Sequence, residues 1–495
     1  MNVQSNVKFG DIVTDFFDVE EGVKQGCVLS PILFCIYINE LARLIKNEDV
    51  GVRICNVKTG CLFWADDVVL IADTEADLQK MLDIASQFSR TWKLDFNMDK
   101  SKVLIVGKRI DKTKLWKIGN QFISECDNYK YLGVHFSRNL SDHTHVNEII
   151  KKGNRLIAYI KSIIDSHDDF NRVYYGDILW KSLALPCINY ACSVWTCGSQ
   201  SDIHKIENLQ LQMARYILKA PRHTPGVALY GDLGWHSITS LQNVHRIKYF
   251  ARLSNLDMHR WPKLMFNALM NLNCTTEHIR YKWLSTVRGA LSKCDMDYII
   301  DHESPADSHW VNTFKRINTI VCNDEWNIIV RAKSSLLDYA NFKKDIQLEQ
   351  YLLDKTDFYG CSLKFKARSN TLPLEHRIRK WSANTDGKCK LCNDDLAEDI
   401  RHFLFSCRSL NNIRTDEYLK LENDLCTNDL NEVWQRFISS NLDTKLHIML
   451  GGAIITPLKK VNDARGVGLN VILDQFCKSY LKRAWAVRCN IMNNK

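Results

Sequence analysis

Two adjacent carboxylates interrupt the apolar run Cys61-Leu62-Phe63-Trp64-Ala65-Asp66-Asp67-Val68-Val69-Leu70-Ile71-Ala72, and no other feature constrains the fold as tightly. Consecutive side chains of a straight strand point to opposite faces, so a buried straight strand would leave one charge among apolar neighbours. A hairpin resolves the conflict. With Cys61 to Trp64 and Val68 to Ala72 as its arms, Asp66 and Asp67 sit at the tip, where their oxygens can converge on a hard divalent cation. Without a cation, two close carboxylates repel and one tends to stay protonated. An acidic turn facing water is the competing reading, because Asp is a common turn former. These residues alone leave both open.

The chain of 495 residues has room for about two to four domains. Its 45% hydrophobic and 25% charged residues are those of an ordinary globular protein, and no apolar stretch is long enough to suggest a membrane span. Met1 to Asp11 is polar and lacks the apolar core of a signal peptide, so an intracellular protein is expected, with nucleus and cytoplasm not distinguished. In that setting the 18 cysteines read as reduced core thiols or metal ligands. A net charge of +9 permits a nucleic-acid partner without requiring one.

Residues 11 to 24 read as a ribbon leading into Gly22-Val23-Lys24-Gln25-Gly26-Cys27-Val28-Leu29-Ser30-Pro31. Ser30 is a good helix N-cap, Pro31 suits the first turn, and the dense apolar run Ile32 to Leu44 predicts a buried helix. Gly26 permits close approach of a ligand to the backbone, or simply makes a tight turn. Thr74-Glu75-Ala76-Asp77 is a capping box that opens a helix with Leu78, Met81, Leu82, Ala85, Phe88 and Trp92 on one stripe. Leu94 to Phe96, Val103 to Val106 and Tyr131 to Phe136 read as short strands. The order of these elements predicts an α+β fold, with helices on one face of a mainly antiparallel sheet.

These residues, taken in order, resemble the reverse transcriptases of non-LTR retrotransposons, the long interspersed elements. Gly22-Val23-Lys24-Gln25-Gly26 through Ser30-Pro31 is similar to the family's motif B, Ala65-Asp66-Asp67 to motif C, Asn97 to Lys102 to motif D, and Tyr131-Leu132-Gly133 to the primer grip of motif E. The resemblance implies the palm of a right-hand polymerase. It implies Gln25 and Gly26 near the incoming nucleotide and template, Asp66 as a Mg²⁺ ligand supported by Asp67, and Lys100 as the motif D lysine near the phosphates. A solvated surface lysine is the alternative for Lys100. Such a site suits phosphoryl transfer, which is mostly positioning and charge neutralisation and in which metal ions clamp the attacking and leaving oxygens.

The sequence departs from the family pattern at two points. Trp64 stands where Phe or Tyr is usual. The motif A carboxylate, which belongs to a strand well upstream of motif B, has no counterpart in the few residues before Gln25. Asp11, Asp15 and Asp18 are the upstream aspartates, and they lie in the ribbon. An incomplete palm is therefore expected.

From Ser141 to Met270 the pattern becomes helical and corresponds to the thumb and following region. Ile206, Leu209, Met213, Tyr216 and Ile217 form an apolar stripe, with Lys205, Arg215 and Lys219 left to the surface. Leu185 to Tyr190 and Glu207 through Lys219 extend the likeness to the segment after the catalytic domain. Cys187, Cys192 and Cys197 read as core thiols. Trp283, Leu284, Ile317, Ile320, Val321 and Trp326 predict further packed helices, with a loop at His302 to Ser308.

Cys389-x2-Cys392-x9-His402-x4-Cys407 is a second constellation. Three thiolates and an imidazole complete a closed tetrahedral set suited to structural Zn²⁺ rather than Mg²⁺. It resembles the zinc-binding segment that follows the reverse transcriptase in non-LTR elements. Upstream, Lys364, Lys366, Arg368, Arg377, Arg379 and Lys380 are accompanied by one acid, Glu375, and are candidates to dock a phosphate backbone, with Phe365 and Trp381 as stacking platforms. Farther on, Lys478, Lys482, Arg483 and Arg488 either contact nucleic acid or remain solvated.

The expected organisation is a partial palm over 1–140, a helical thumb region over 141–270, a helical region of unknown role over 271–360, a basic and zinc-binding segment over 361–420, and a C-terminal helical region over 421–495. The function implied by the resemblance is RNA-directed DNA synthesis by a non-LTR retrotransposon reverse transcriptase, Mg-dependent in the full-length parent. Its partners would be an RNA template, a DNA primer or target and deoxynucleoside triphosphates, with no membrane. The alternatives are a catalytically inactive nucleic-acid-binding remnant lacking the motif A carboxylate, and a structural helical adaptor.

Overall fold

A computed structural model describes residues 3–19, 22, 26–55, 57–107, 115–167, 171–275, 282–301, 308–392, 394–451 and 463–493. Gln25 and the core of the loop expected at His302 to Ser308 lie outside these. The chain forms two compact units, one of Met1–Ser141 with Leu256–Arg280 and one of Asp142–Asn255 with Tyr281–Lys495.

The first unit mixes helices with short ribbons. Helix Glu75–Trp92 begins as its capping box requires, the Thr74 hydroxyl accepting from the Asp77 amide at 3.1 Å. Its predicted stripe buries Met81, Leu82, Ala85 and Phe88. Helix Ser30–Asn47 packs on it through Ile38, Leu41 and Ile45, with Tyr37 edge-on to Trp92 at 5.2 Å.

That helix corrects two expectations. Leu29, not Ser30, occupies the cap, without a side-chain hydrogen bond. The helix is also not buried throughout. It meets its neighbour along its C-terminal half, and Ile32, Leu33 and Ile36 are exposed.

The mainly antiparallel sheet is likewise replaced by separate small sheets among the described residues. Leu94 to Phe96 forms no strand, and Lys102–Leu104 runs parallel to Gln121–Cys126, pairing Val103 with Glu125.

The second unit is helical. Helix His143–Asp165 packs against Gln200–Ile217, whose predicted stripe supplies buried Ile206, Leu209, Met213 and Ile217. Gly153 makes that approach possible, because a Cβ there would meet Leu209 Cδ1 at 2.6 Å. The expected helices after residue 281 are Lys282–Ser292 and Ser308–Ala332. A second core gathers Tyr339, Phe342, Phe403, Phe437 and Tyr480 around the long helix Asp463–Asn493. Cys192 is buried as a core thiol, and burial pushes it up to about 11. No helix of the described residues is long and apolar enough to cross a membrane.

Candidate functional sites: an acidic hairpin and a cysteine–histidine cluster

The acidic pair sits on a hairpin, as the apolar–acidic conflict demands. Cys61–Trp64 pairs antiparallel with Asp67–Leu70, in the register Trp64 to Asp67 and Phe63 to Val68. The second arm starts one residue earlier than expected, so Asp66 lies in the turn and Asp67 on the first strand position. Ala65 is held at φ 48°, the left-handed region that primed hairpin turns use and that costs a residue with a Cβ about 1–2 kcal/mol. Strand alternation sends Cys61, Phe63 and Leu70 toward the core and leaves Trp64, 64% exposed, on the open face with Asp67. Both carboxylates are exposed, and among the described residues neither has an ion-pair partner. Two adjacent oxygen donors without a protein cation fit a hard divalent ion.

The motif E residues form the hairpin of Asn128–Tyr131 with Val134–Ser137. Leu132 at φ 45° and Gly133 at φ 81° are its two turn residues, the pattern of a type I′ turn. Tyr131 and Tyr129 have raised hydroxyl pKa values, first from burial and then from the charge of Asp67, so this hairpin lies within electrostatic range of the acidic tip. Tyr129 also donates to the Lys100 carbonyl at 3.1 Å, and the Lys100 amide donates to Asn97 Oδ1 at 3.0 Å. The Lys100 side chain is exposed and unpaired with any carboxylate of the described residues. The structure therefore gathers Asp67, Lys100, Tyr131, Leu132 and Gly133 within one unit. Tyr129 was missed from sequence, although its place two residues before Tyr131 on one strand face was a usable signal. Gly26 adopts φ 77°, open to any approaching group. Asp18, in the N-terminal ribbon, accepts from Gln4 at 2.9 Å.

In the second unit, Cys389, Cys392, His402 and Cys407 converge so that their ligand atoms all lie within 4.8 Å of one another. The two sulfurs of Cys389 and Cys407 are 3.9 Å apart, and Cys392 Sγ is 3.4 Å from His402 Nε2. The loop closes through the Cys389 amide on the Leu396 carbonyl at 2.8 Å. A wide helical turn, His402–Ser406, then carries the imidazole, and the Cys407 amide returns to the His402 carbonyl at 2.8 Å. The Cys407 hydrogen bond lowers the Cys389 thiol pKa, and the same bond pushes Cys407 up. Three soft sulfurs and one nitrogen, largely buried, fit a closed structural zinc site.

The basic segment is split by burial. Lys364 and Arg368 are each 2% exposed, Lys364 pairing with Asp474 and Arg368 with Asp232 at 3.0 Å and Glu349 at 3.1 Å. Their charges are spent inside the protein, and neither can dock a phosphate. Phe365 is fully buried and cannot stack on a base. Lys366 and Arg377 are half-buried, while Arg379, Lys380 and Trp381 are exposed. The four C-terminal cations resolve the same way. Lys478 pairs with Asp354, Lys482 with Asp357, Arg483 with Asp416 and Glu417, and Arg488 with Glu398.

Comparison with known proteins bears on both sites. Residues 7–136 match the family model described as reverse transcriptase (RNA-dependent DNA polymerase), and residues 355–413 match zinc-binding in reverse transcriptase. The RNA-directed DNA polymerase from mobile element jockey of Drosophila melanogaster is 24% identical over 243 residues, covering 48% of this chain and 26% of the relative. The probable RNA-directed DNA polymerase from transposon X-element of the same species is 25% identical over 254 residues, covering 50% and 27%. The Pol polyprotein of the D. melanogaster retrotransposable element R2DM is 34% identical over 125 residues, covering 23% and 12%. The chain thus spans about a quarter of the length of the first two. Over these two segments the chain is similar to a reverse transcriptase domain and to the zinc-binding domain associated with it, and its relatives include the RNA-directed DNA polymerases of retrotransposable elements.

Proposed function

We propose that this chain serves RNA-directed DNA synthesis, adding deoxynucleotides to a DNA 3′ end on an RNA template. The observation that carries the reading is the exposed, uncompensated pair Asp66 and Asp67, at the tip of a hairpin that lies within electrostatic range of Tyr129 and Tyr131, the first of which holds the Lys100 carbonyl. In this reading residues 1–140 form the palm elements and 141–270 the thumb region. A Mg²⁺ ion on Asp66 and Asp67 would neutralise charge at the reacting phosphates. Gln25 and Gly26 would border the incoming nucleotide and template, Gly26 offering open backbone. Lys100 would meet the phosphates from the motif D turn, and the Tyr131-Leu132-Gly133 turn would hold the primer end. The cysteine–histidine cluster would act as a structural staple rather than a reactive centre, since its four donors leave no open position. Lys366, Arg377, Arg379 and Lys380 remain candidates for the nucleic-acid backbone.

Primer extension tests this. A DNA primer on an RNA template, with Mg²⁺, should be extended with deoxynucleoside triphosphates and not with ribonucleoside triphosphates. Absence of template-dependent incorporation would end the reading.

A further inference from the structure

Several cations of the second unit have no carboxylate among the described residues, and they come from two segments far apart in sequence. Arg215, on helix Gln200–Ile217, and Arg222, just beyond it, form no ion pair. Arg215 Nε is buried without a hydrogen-bond partner. Arg377 Nε, from the basic segment, is in the same state. The acids near Arg377 in sequence are committed elsewhere: Glu375 faces Arg488 at 3.6 Å, and Asp386 holds Lys390 at 3.0 Å.

Ring geometry joins the two segments. The His223 and Trp381 rings lie 4.7 Å apart at 42°, and the Arg377 guanidinium sits 5.7 Å from the Trp381 ring centre. Trp381 is 52% exposed, so this platform is open to solvent. The pKa shifts agree with this proximity: Arg215 is lowered first by burial and also by Arg222, with Tyr230 acting the other way, and His223 is lowered by burial and by Arg377. Like charges brought together with no acid paired to them among the described residues are unfavourable in the isolated protein and call for an external anion. An exposed aromatic pair beside them adds a flat apolar face, which a phosphate or an acidic peptide would leave unused. A base attached to a phosphodiester chain uses both.

We infer that Arg215, Arg222, His223, Arg377 and Trp381 form a docking site for single-stranded nucleic acid, with phosphates on the guanidinium groups and an unpaired base stacked on the Trp381–His223 platform. A duplex keeps its bases stacked internally and can use only the cationic part. The inference deepens the nucleic-acid reading of the basic segment and rests on it, but not on the acidic hairpin. It assigns Arg215, Arg222 and His223, outside that segment, to the same surface.

The test is fluorescence anisotropy of the full chain with labelled RNA and DNA strands of about 12 nucleotides, an abasic strand, a duplex and poly-glutamate as probes. Single strands of either sugar should bind more tightly than the duplex. Trp381→Ala should weaken single-strand binding at least about 5-fold, leave duplex binding within about 2-fold, and have no effect on the abasic strand, while Trp381→Phe restores most of the loss. Arg222→Gln and Arg377→Gln should each lower the slope of log affinity against log salt by roughly 0.7 on single strands. Zinc content and melting temperature matching the parent show that the variants fold. Single-strand binding unchanged in Trp381→Ala, equal affinity for duplex, or equally tight poly-glutamate binding overturns the inference. If Arg379→Gln and Lys380→Gln weaken binding while the Trp381 and Arg222 variants do not, the segment reading survives and this site does not. Asp66→Asn should bind like the parent, which separates this outcome from that of the polymerase assay.

Discussion

Arg488 grips Glu398 with two hydrogen bonds, Nε at 2.8 Å and Nη2 at 2.9 Å, and so ties the C-terminal helix Asp463–Asn493 to the loop that carries Cys389 and His402. Glu398 is 1% exposed, and one of its oxygens also accepts the Glu375 amide at 2.7 Å. Removing one partner leaves the other buried and unpaired. Arg488→Ala should therefore destabilise the protein by roughly 3–5 kcal/mol in denaturant unfolding. Replacing both residues with well-packed apolar side chains should cost much less. A single-variant loss below about 1 kcal/mol would show that this bond does not hold the module.

Zinc should be present at about one ion per chain and should be lost in Cys407→Ser. Because the ligands must be deprotonated to bind, affinity should fall as pH is lowered. Metal analysis of purified parent and variant checks this, and a parent free of zinc would contradict the assignment. Chelation should lower the melting temperature without removing the secondary structure of the first unit, as followed by hydrogen exchange.

Asp354 sets an acid dependence. Burial alone would raise its carboxyl pKa, but Lys478 and the Thr356 amide and hydroxyl, at 2.9 and 2.7 Å, overcome this and hold it well below the ordinary range. A folded-state pKa below the unfolded one gives stability that is complete above the unfolded value and is lost as pH falls through the folded one. Unfolding free energy should therefore fall below about pH 4, and Asp354→Asn should flatten that part of the profile while lowering stability at neutral pH. An unaltered profile in the variant would refute the linkage.

Gly231 lies beneath the buried network of Asp232, in which Tyr339 and Tyr351 donate to that carboxylate at 2.8 and 2.6 Å and Arg368 Nε at 3.0 Å. A Cβ at Gly231 would press on the Tyr339 hydroxyl and lie 2.7 Å from Trp326. Gly231→Ala should cost about 1–3 kcal/mol through overpacking, despite the better helix propensity of Ala. A gain in melting temperature would show that the network yields freely.

The sequence is legible where local chemistry admits few solutions. Adjacent aspartates in an apolar run require a turn, and the Cys389–Cys407 spacing requires a shared centre. Both arrangements are present. It is illegible where the answer lies far along the chain. Lys364 and Arg368 look like surface cations until Asp474 and Asp232, 110 and 136 residues distant, are brought to them. The apolar density of Ile32 to Leu44 likewise shows that a helix can be buried, whereas the choice of Ile38, Leu41 and Ile45 as the face that is buried is made by tertiary packing. Ser30 loses the cap because the helix starts one residue early, within the ordinary uncertainty of helix ends.

If Asp66 carries metal-dependent DNA synthesis, primer extension by the parent and by Asp66→Asn on one RNA template, with nucleic-acid affinity measured alongside, decides it. The parent should extend the primer, the variant should lose at least about 100-fold, and binding of template and primer should be unchanged. Extension that persists in Asp66→Asn, or that is absent from the parent, would contradict it.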